Sequence, residues 1–456
     1  MKITIQAIAH ALDAHIQNDA DVTVTSTAFD SRQVTPGALF IPLVAENDGH
    51  TYLNSAIQNG AVASLWQKDH TPYPTNVPLI LVDDTLEAFQ ALAEFYLKQV
   101  DPKIVAISGS NGKTTTKDFI AAIGNTKYKT VKTPANFNNE IGVPTTILSM
   151  DDDTELLVLE MGMDHPGDLD KLSKMVQPDI AVLTMIGEAH IEFFKTRANI
   201  ADGKMQIING FKPNSQLVYN GDEPLLVDRV GAHDELHNVS FGLTDQNDLF
   251  ASNIEMTATQ AIFTTNASKQ QFTIPLTGRY NVANALAAIS VGHLLEIDDA
   301  TIAEALRNAP ITANRTQWLK GNFGGEILSD VYNSNPTAAK EVLNSFSAVP
   351  TQGRRIAVLG DMLELGTAGP ELHASLAEAL DPKKIEKVYL VGDLMTNLAD
   401  ALVKFYPADH IHTYQKDELP KLTQDLQKQL TASDLLLLKG SHGIHLENVV
   451  DALVNK

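Results

Sequence analysis

Residues 104–116 run from an apolar strand through a glycine turn into a helix: Ile104-Val105-Ala106-Ile107-Ser108-Gly109-Ser110-Asn111-Gly112-Lys113-Thr114-Thr115-Thr116. A strand this apolar must be buried on both faces, which calls for a parallel sheet sandwiched between helices. The turn offers backbone N–H groups from Gly109, Ser110, Asn111 and Gly112, and Lys113 adds a cation. Thr114 and Thr115 then bring hydroxyls to the helix N-terminus. Donors in this order suit a nucleotide phosphate chain, with the Thr114 hydroxyl placed to ligate Mg2+. The general phosphate-loop pattern would put its first glycine at position 107, where this chain has Ile107, so the loop is a shortened form.

The same strand–helix alternation continues along the chain. Leu156–Leu159 and Ile180–Leu183 read as further buried strands, and a second set appears in Ile356–Leu359, Val388–Val391 and Leu435–Leu438. A length of 456 residues allows about three domains. Asp101-Pro102 and the Ala309-Pro310 region mark the breaks. The expectation is a three-domain α/β protein: a small N-terminal α/β domain over 1–101, a central parallel-sheet ATPase-like domain over 102–311 and a C-terminal Rossmann-like α/β domain over 312–456. Within the first, Ile5–Leu12 and Thr85–Val100 read as helices and Ala38–Leu43 as a strand. In the second, residues 250–275 lean toward antiparallel strands and a helix follows over Tyr280–Leu295. Two α/β units in series are consistent with a cleft between them.

Charge narrows the partners. With 34 Lys+Arg against 56 Asp+Glu, the formal net charge of -22 repels a polyphosphate backbone and argues against nucleic acid. The chain has no cysteine, so any metal must sit on oxygen or nitrogen ligands, and a reducing compartment fits. Met1–Gln6 lacks the apolar core of a signal peptide, and no later run approaches the roughly 20 apolar residues of a membrane span. A cytoplasmic location is expected.

Several side chains are candidates for chemistry. Glu160 closes the strand Leu156–Leu159 at its carboxyl end, where α/β sheets bind ligands, and suits Mg2+. His190 follows the next strand and so falls at the same end of the sheet, although a lone histidine is more often structural. Lys204 taken alone reads as a solvated surface lysine. Asn138 and Asn139 lie in Thr133–Pro144, a segment dense in Asn and Gly that suits a hydrogen-bonding loop or an ordinary turn. Asn281 and Asn284 share a helix face and could read a nucleotide, or Asn281 could cap the helix. Arg315 taken alone reads as a partner in a surface salt bridge. Ser31 and Arg32, in Phe29-Asp30-Ser31-Arg32, taken alone read as a solvated turn.

The loop Gly109-Ser110-Asn111-Gly112-Lys113-Thr114-Thr115 resembles that of the Mur ligase family, ATP-dependent amide-forming enzymes of peptidoglycan precursor synthesis. Gly187-Glu188-Ala189-His190-Ile191-Glu192 resembles the family's G-x-A-H-x-E stretch, and Gly278–Ala288 its [HY]-N-x-x-N-x-L-A-A motif. The resemblance implies ATP contacts from residues 109–115, Asn281, Asn284, Arg315, Asp330 and Asn333. It implies two Mg2+ ions held by Thr114, Glu160, His190 and a carbamylated Lys204, with Lys113, His190, Lys204 and Arg315 as the catalytic set. Ser31 and Arg32 resemble the UDP-binding segment of the last two ligases of that pathway.

Within the family, Asn136-Phe137-Asn138-Asn139-Glu140-Ile141-Gly142-Val143-Pro144 and Asp330-Val331-Tyr332-Asn333-Ser334-Asn335-Pro336 resemble the branch that adds D-alanyl-D-alanine, which makes Asn138 and Asn139 substrate-facing. The D-N-P-R block of the ligase adding the third residue is absent, as is the G-K-G-S loop of folylpolyglutamate synthases. Departures from the family pattern are Gln206, Phe194-Lys195-Thr196, Asn314 and His442-Gly443. The implied reaction joins D-alanyl-D-alanine to a UDP-N-acetylmuramoyl-tripeptide through an acyl phosphate, in a monomer. Two other readings remain: a nucleotide-gated switch without ligation, and a kinase that stops at phosphoryl transfer. No motif tells lysine from diaminopimelate at tripeptide position three.

Overall fold

A computed structural model describes residues 1–257, 259–312 and 315–454, so Asn314 lies outside the described residues. The main sheets have five, nine and six strands, and a two-stranded pair joins Ile3–Thr4 to Thr23–Val24.

The five-stranded sheet runs His15–Gln17, Leu79–Val82, Ala61–Gln67, Ala38–Phe40, Ser26–Ala28, and only its first pair is antiparallel. The run expected to extend to Leu43 stops at Phe40, two residues before Pro42, which has no N–H to pair. The helix Thr85–Val100 has its expected bounds. Asp84 caps it by accepting from the N–H groups of Leu86 and Glu87, and Asp101 ends it in the left-handed region at φ 49°, just ahead of Pro102. Its buried stripe of Ala88, Phe89, Leu92, Ala93, Tyr96 and Leu97 follows the helical period.

The nine-stranded sheet runs Phe272–Ile274, Ala261–Thr265, Leu249–Met256, His237–Gly242, Gln216–Asn220, Ile180–Leu183, Lys103–Ser108, Leu156–Glu160, Thr130–Lys132. The phosphate-loop strand Lys103–Ser108 is flanked in parallel by Leu156–Glu160 and Ile180–Leu183. Its register pairs Ile107 with Glu160 and Ser108 with Leu183, so all three carboxyl ends finish together. That alignment puts the phosphate loop, Glu160 and the segment leading to His190 on one edge of the sheet. Residues 249–274 are antiparallel as expected, but they extend this same sheet through the Phe241–Leu249 and Gly242–Phe250 pairs. Behind the loop, the helix Arg279–Leu294 is buried on nearly every face and packs on the phosphate-loop helix Lys113–Gly124.

The six-stranded sheet runs Gln317–Lys320, Glu326–Asp330, Leu435–Lys439, Arg355–Gly360, Lys387–Val391, Ile411–Tyr414, parallel except for its first pair. After Asp330 the chain turns into the helix Pro336–Ala348. Asn335 caps this helix by accepting from Ala338 N–H, and Pro336 occupies the first turn. This turn faces the phosphate loop.

Candidate active site

The phosphate loop is shaped by close packing behind it. Gly112 has φ +82°, and a Cβ there would collide with the Asn284 amide. Glycine is therefore required both for the conformation and for the approach. Ser110 N–H donates to Met185 O at 2.9 Å, and the Thr184 hydroxyl donates to Asn111 O at 2.5 Å, tying the loop to the neighbouring strand end. Lys113 Nζ folds back to donate to Gly109 O at 2.8 Å. Burial lowers the pKa of this ammonium, with Glu160 opposing the effect and Arg315 adding to it.

Glu160 is aimed by three bonds. Its backbone N–H donates to Thr133 Oγ1 at 3.0 Å. Its carboxylate accepts from the Thr114 hydroxyl at 2.9 Å and from Asn138 Nδ2 at 2.8 Å. Lys117 Nζ, also buried, lies 3.8 Å from the same carboxylate. Thr114 and Glu160 thus form a paired oxygen donor set at the mouth of the loop, which suits a hard cation.

His190 sits in the left-handed region at φ 63°, with Nδ1 2.7 Å from Glu364 Oε2 and 3.5 Å from Asp164 Oδ1. His190 in turn holds the Glu364 carboxyl below its usual range. Lys204, in the last turn of the helix Arg197–Met205, is only 2% exposed, so it is not the solvated lysine its sequence alone suggests. No described residue gives its ammonium a hydrogen bond or ion pair. Burial first, then repulsion by Lys113, bring its pKa well below the ordinary lysine value, with Asp164 opposing. The Arg315 guanidinium stacks 4.0 Å over the Tyr332 ring.

A cleft of 370 Å³ between the central and C-terminal sheets gathers Ser110–Thr114, Asn138, Asn139, Glu160, His190, Lys204, Arg315 and Asn333 on its wall. The remaining candidates lie elsewhere. Asn284 backs Gly112, and Asn281 supports Asn284, accepting from its Nδ2 at 3.2 Å while donating to Thr277 O at 2.8 Å. Gly109 and Thr115 are not on the wall. Asp330 accepts from Lys439 Nζ at 2.6 Å and from Thr316 N–H at 3.3 Å. Ser31 is buried in the N-terminal unit, and the well-exposed Arg32 pairs with Asp30 at 2.7 Å. An adjoining cavity of 640 Å³ shares Asn138, Asn139 and Asp164 with the cleft and extends to Glu87, Gln90 and Glu94 of the helix Thr85–Val100. The cleft therefore opens toward the N-terminal unit. Asp164 belongs to no recognisable motif, and only the folded chain brings it to both walls.

Outside this cleft, Asp48, His50 and His70 come together. His50 Nδ1 lies 2.8 Å from Asp48, and Gln67 N–H donates to His50 Nε2 at 3.3 Å. Both ring nitrogens of His50 are thereby engaged, Nδ1 with Asp48 and Nε2 as acceptor from Gln67.

The Mur ligase middle domain matches residues 107–292, and the Mur ligase glutamate ligase domain matches residues 314–442. A UDP-N-acetylmuramoyl-tripeptide--D-alanyl-D-alanine ligase of Bacillus subtilis (strain 168) is 36% identical, covering 100% of this chain and 99% of the relative. The chain belongs to the Mur ligase family. An Escherichia coli (strain K12) Mur ligase of the same name is 30% identical, with 99% of this chain and 98% of the relative covered. The Mur ligase fold extends over all three units: a crystal structure of MurF from Acinetobacter baumannii superposes with a TM-score of 0.89 at 25% identity, covering 100% of this chain and 99% of that one. A MurF ligase from Thermotoga maritima in complex with ADP gives 0.81 at 27% identity, covering 94% and 97%.

Proposed function

We infer that this Mur ligase uses ATP to join D-alanyl-D-alanine to UDP-N-acetylmuramoyl-tripeptide, forming one amide bond. The observation that carries the reading is the single cleft in which the phosphate loop, Glu160, His190, Lys204 and Arg315 meet. Support for the substrates comes from the family branch of the full-length relatives.

An amide does not form directly from a carboxylate. A tripeptide carboxylate oxygen attacks the γ-phosphorus of ATP and ADP leaves; the dipeptide amine then attacks the acyl carbon, loses a proton and expels phosphate. Backbone N–H groups of residues 111–113 hold the phosphate chain, while Lys113 and Arg315 offset charge on the transferring group. Asn138 and Asn139, on the wall shared with the adjoining cavity, orient the tripeptide. Asn284 supports the loop from behind and Asn281 braces Asn284, Asp330 holds Lys439 and Thr316, and Asn333 on the cleft wall meets the nucleotide. Ser31 and Arg32 hold the UDP end. Closure of the C-terminal unit over ATP keeps water from the acyl phosphate.

Thr114 and Glu160 present oxygen donors, and His190 and Lys204 complete a donor set free of thiolates, so the residues fit Mg2+. A bound Mg2+ would neutralise phosphate charge and polarise the transferring group. Lys204 fits carbamylation: a buried amine with a lowered pKa is a nucleophile toward CO2, and the adduct replaces a cation with an anionic oxygen donor. On this reading the enzyme acts as a monomer in the cytoplasm.

The deciding experiment is phosphate release with ATP, Mg2+, D-alanyl-D-alanine and each of two UDP-muramyl tripeptides, one ending in lysine and one in diaminopimelate. Release that requires every component, with the product mass of the amide, is the expected result. Slow ATPase indifferent to both peptides would mean a switch instead, and a phosphorylated tripeptide without amide would mean a kinase.

A further inference from the structure

We propose that Asp118 is a positioning residue for Arg315: it pins the linker between the central and C-terminal units at Thr312 and so fixes where the arginine enters the phosphate cleft. Asp118 lies one turn beyond Thr114 in the phosphate-loop helix, and its side chain is buried. Its Oδ2 accepts from both the backbone N–H and the hydroxyl of Thr312, at 2.9 and 2.7 Å, across 194 residues of sequence. Its Oδ1 accepts from Lys132 Nζ at 2.6 Å, with Lys117 Nζ 3.8 Å away. Three hydrogen bonds thus hold the carboxylate in one orientation.

Arg315 follows Thr312 by three residues. On its other side, Thr316 N–H donates to Asp330, itself paired with Lys439. The linker is thus held at 312 by the unit that carries the phosphate loop and at 316 by the unit that closes over it. Arg315 lies between the two anchors, stacked on Tyr332 and facing the cleft. An arginine side chain has many rotamers to choose among, and a misplacement of about 1 Å in a reactive site costs on the order of 100-fold in rate. Anchoring Thr312 to the helix that carries Lys113 and Thr114 ties the point from which the arginine is reached to the position of the loop.

This inference rests on the proposed function only in assigning Arg315 to the terminal phosphate of ATP. The test measures Mg-ATP and Mg-ADP affinity in the full chain by calorimetry for wild type, Thr312→Val, Arg315→Ala and the double variant. Thr312→Val removes one hydrogen bond to a charged acceptor and keeps the backbone N–H. It is expected to reduce the preference for ATP over ADP about tenfold, with little change in melting temperature. In the Arg315→Ala background it is expected to add nothing. Asp118→Asn, which leaves Lys117 and Lys132 under-compensated, should show a larger shift of the same kind if it folds. Equal losses for both nucleotides, full additivity with Arg315→Ala, or an Arg315→Ala variant with unchanged preference would overturn the proposal. Coupling between positions 312 and 315 in a wild type that makes no amide would overturn the substrate reading alone.

Discussion

The side-chain amides of Asn111 and Asn335 pair reciprocally across the cleft: Asn335 Nδ2 donates to Asn111 Oδ1 at 2.8 Å, and Asn111 Nδ2 donates to Asn335 Oδ1 at 3.2 Å. One residue lies in the phosphate loop and the other caps the helix Pro336–Ala348 of the C-terminal unit. Beside them, Thr337 donates its N–H and its hydroxyl to Glu188, at 3.1 and 3.0 Å. Closure of the cleft is therefore coupled to the conformation of the loop that receives ATP.

Separating the two roles of Asn335 requires two variants. Asn111→Ala removes the pair but leaves the cap, so it should shift the chain toward an open form, raising the radius of gyration in solution scattering with little loss of stability. Asn335→Ala should do the same and in addition lose about 1 kcal/mol of stability through the cap. Equal scattering profiles for wild type and both variants would show that the pair does not hold the cleft closed.

Glu160→Gln keeps a side chain able to accept from Thr114 but removes the charge. Amide formation should fall about 100-fold or more, and the Mg2+ concentration for half-maximal rate should rise. Because Lys117 lies 3.8 Å from this carboxylate and 3.8 Å from that of Asp118, the variant removes one of the two anions beside a buried ammonium, and melting curves should be measured alongside. Full activity at unchanged Mg2+ demand would remove Glu160 from the metal set.

For Lys204, the variable is CO2. Activity should drop in CO2-depleted buffer and return on adding bicarbonate, whereas Lys204→Ala should be inactive under both conditions. The pKa is lowered, so the neutral amine is already populated below the usual lysine range; recovery should quicken as pH rises through that lowered value and level off above it. A rate indifferent to CO2 at every pH would leave Lys204 acting as a plain amine.

Local rules made the ends and faces of elements legible. Asp101-Pro102 marked the end of the helix Thr85–Val100, and the uninterrupted apolar runs marked the strands beside the phosphate loop. The strands Gln216–Asn220 and His237–Gly242 lacked that signal because they carry polar, partly exposed residues toward the far side of the sheet. At the site, residues in a contiguous motif, such as Lys113, Thr114 and Glu160, could be read from the chain. Asp118 and Asp164 could not, since their roles come from partners brought near only by folding. Lys204 shows the limit most plainly: its neighbours in sequence suggest solvent, and only packing buries it.

Glu341 lies in the helix Pro336–Ala348, five residues beyond Pro336. Burial raises its carboxyl to about 7; nearby Glu188 also raises it, while Lys439 pulls it down. A carboxyl whose pKa is higher in the folded chain favours folding when protonated. Its contribution is complete below the unfolded value near 4.5 and is lost as pH rises through about 7. Glu341→Gln mimics the protonated form at every pH. It should therefore melt like wild type near pH 4.5 and be more stable by roughly 1–3 kcal/mol above pH 8, the size expected for a shift of about two units after allowance for solvent screening. Thermal melts of both proteins across that range decide the matter. A stability difference that stays constant with pH would mean the charge on Glu341 is not what sets it, and a wild type more stable than the variant at high pH would reverse the sign of the interaction with Glu188 and Lys439.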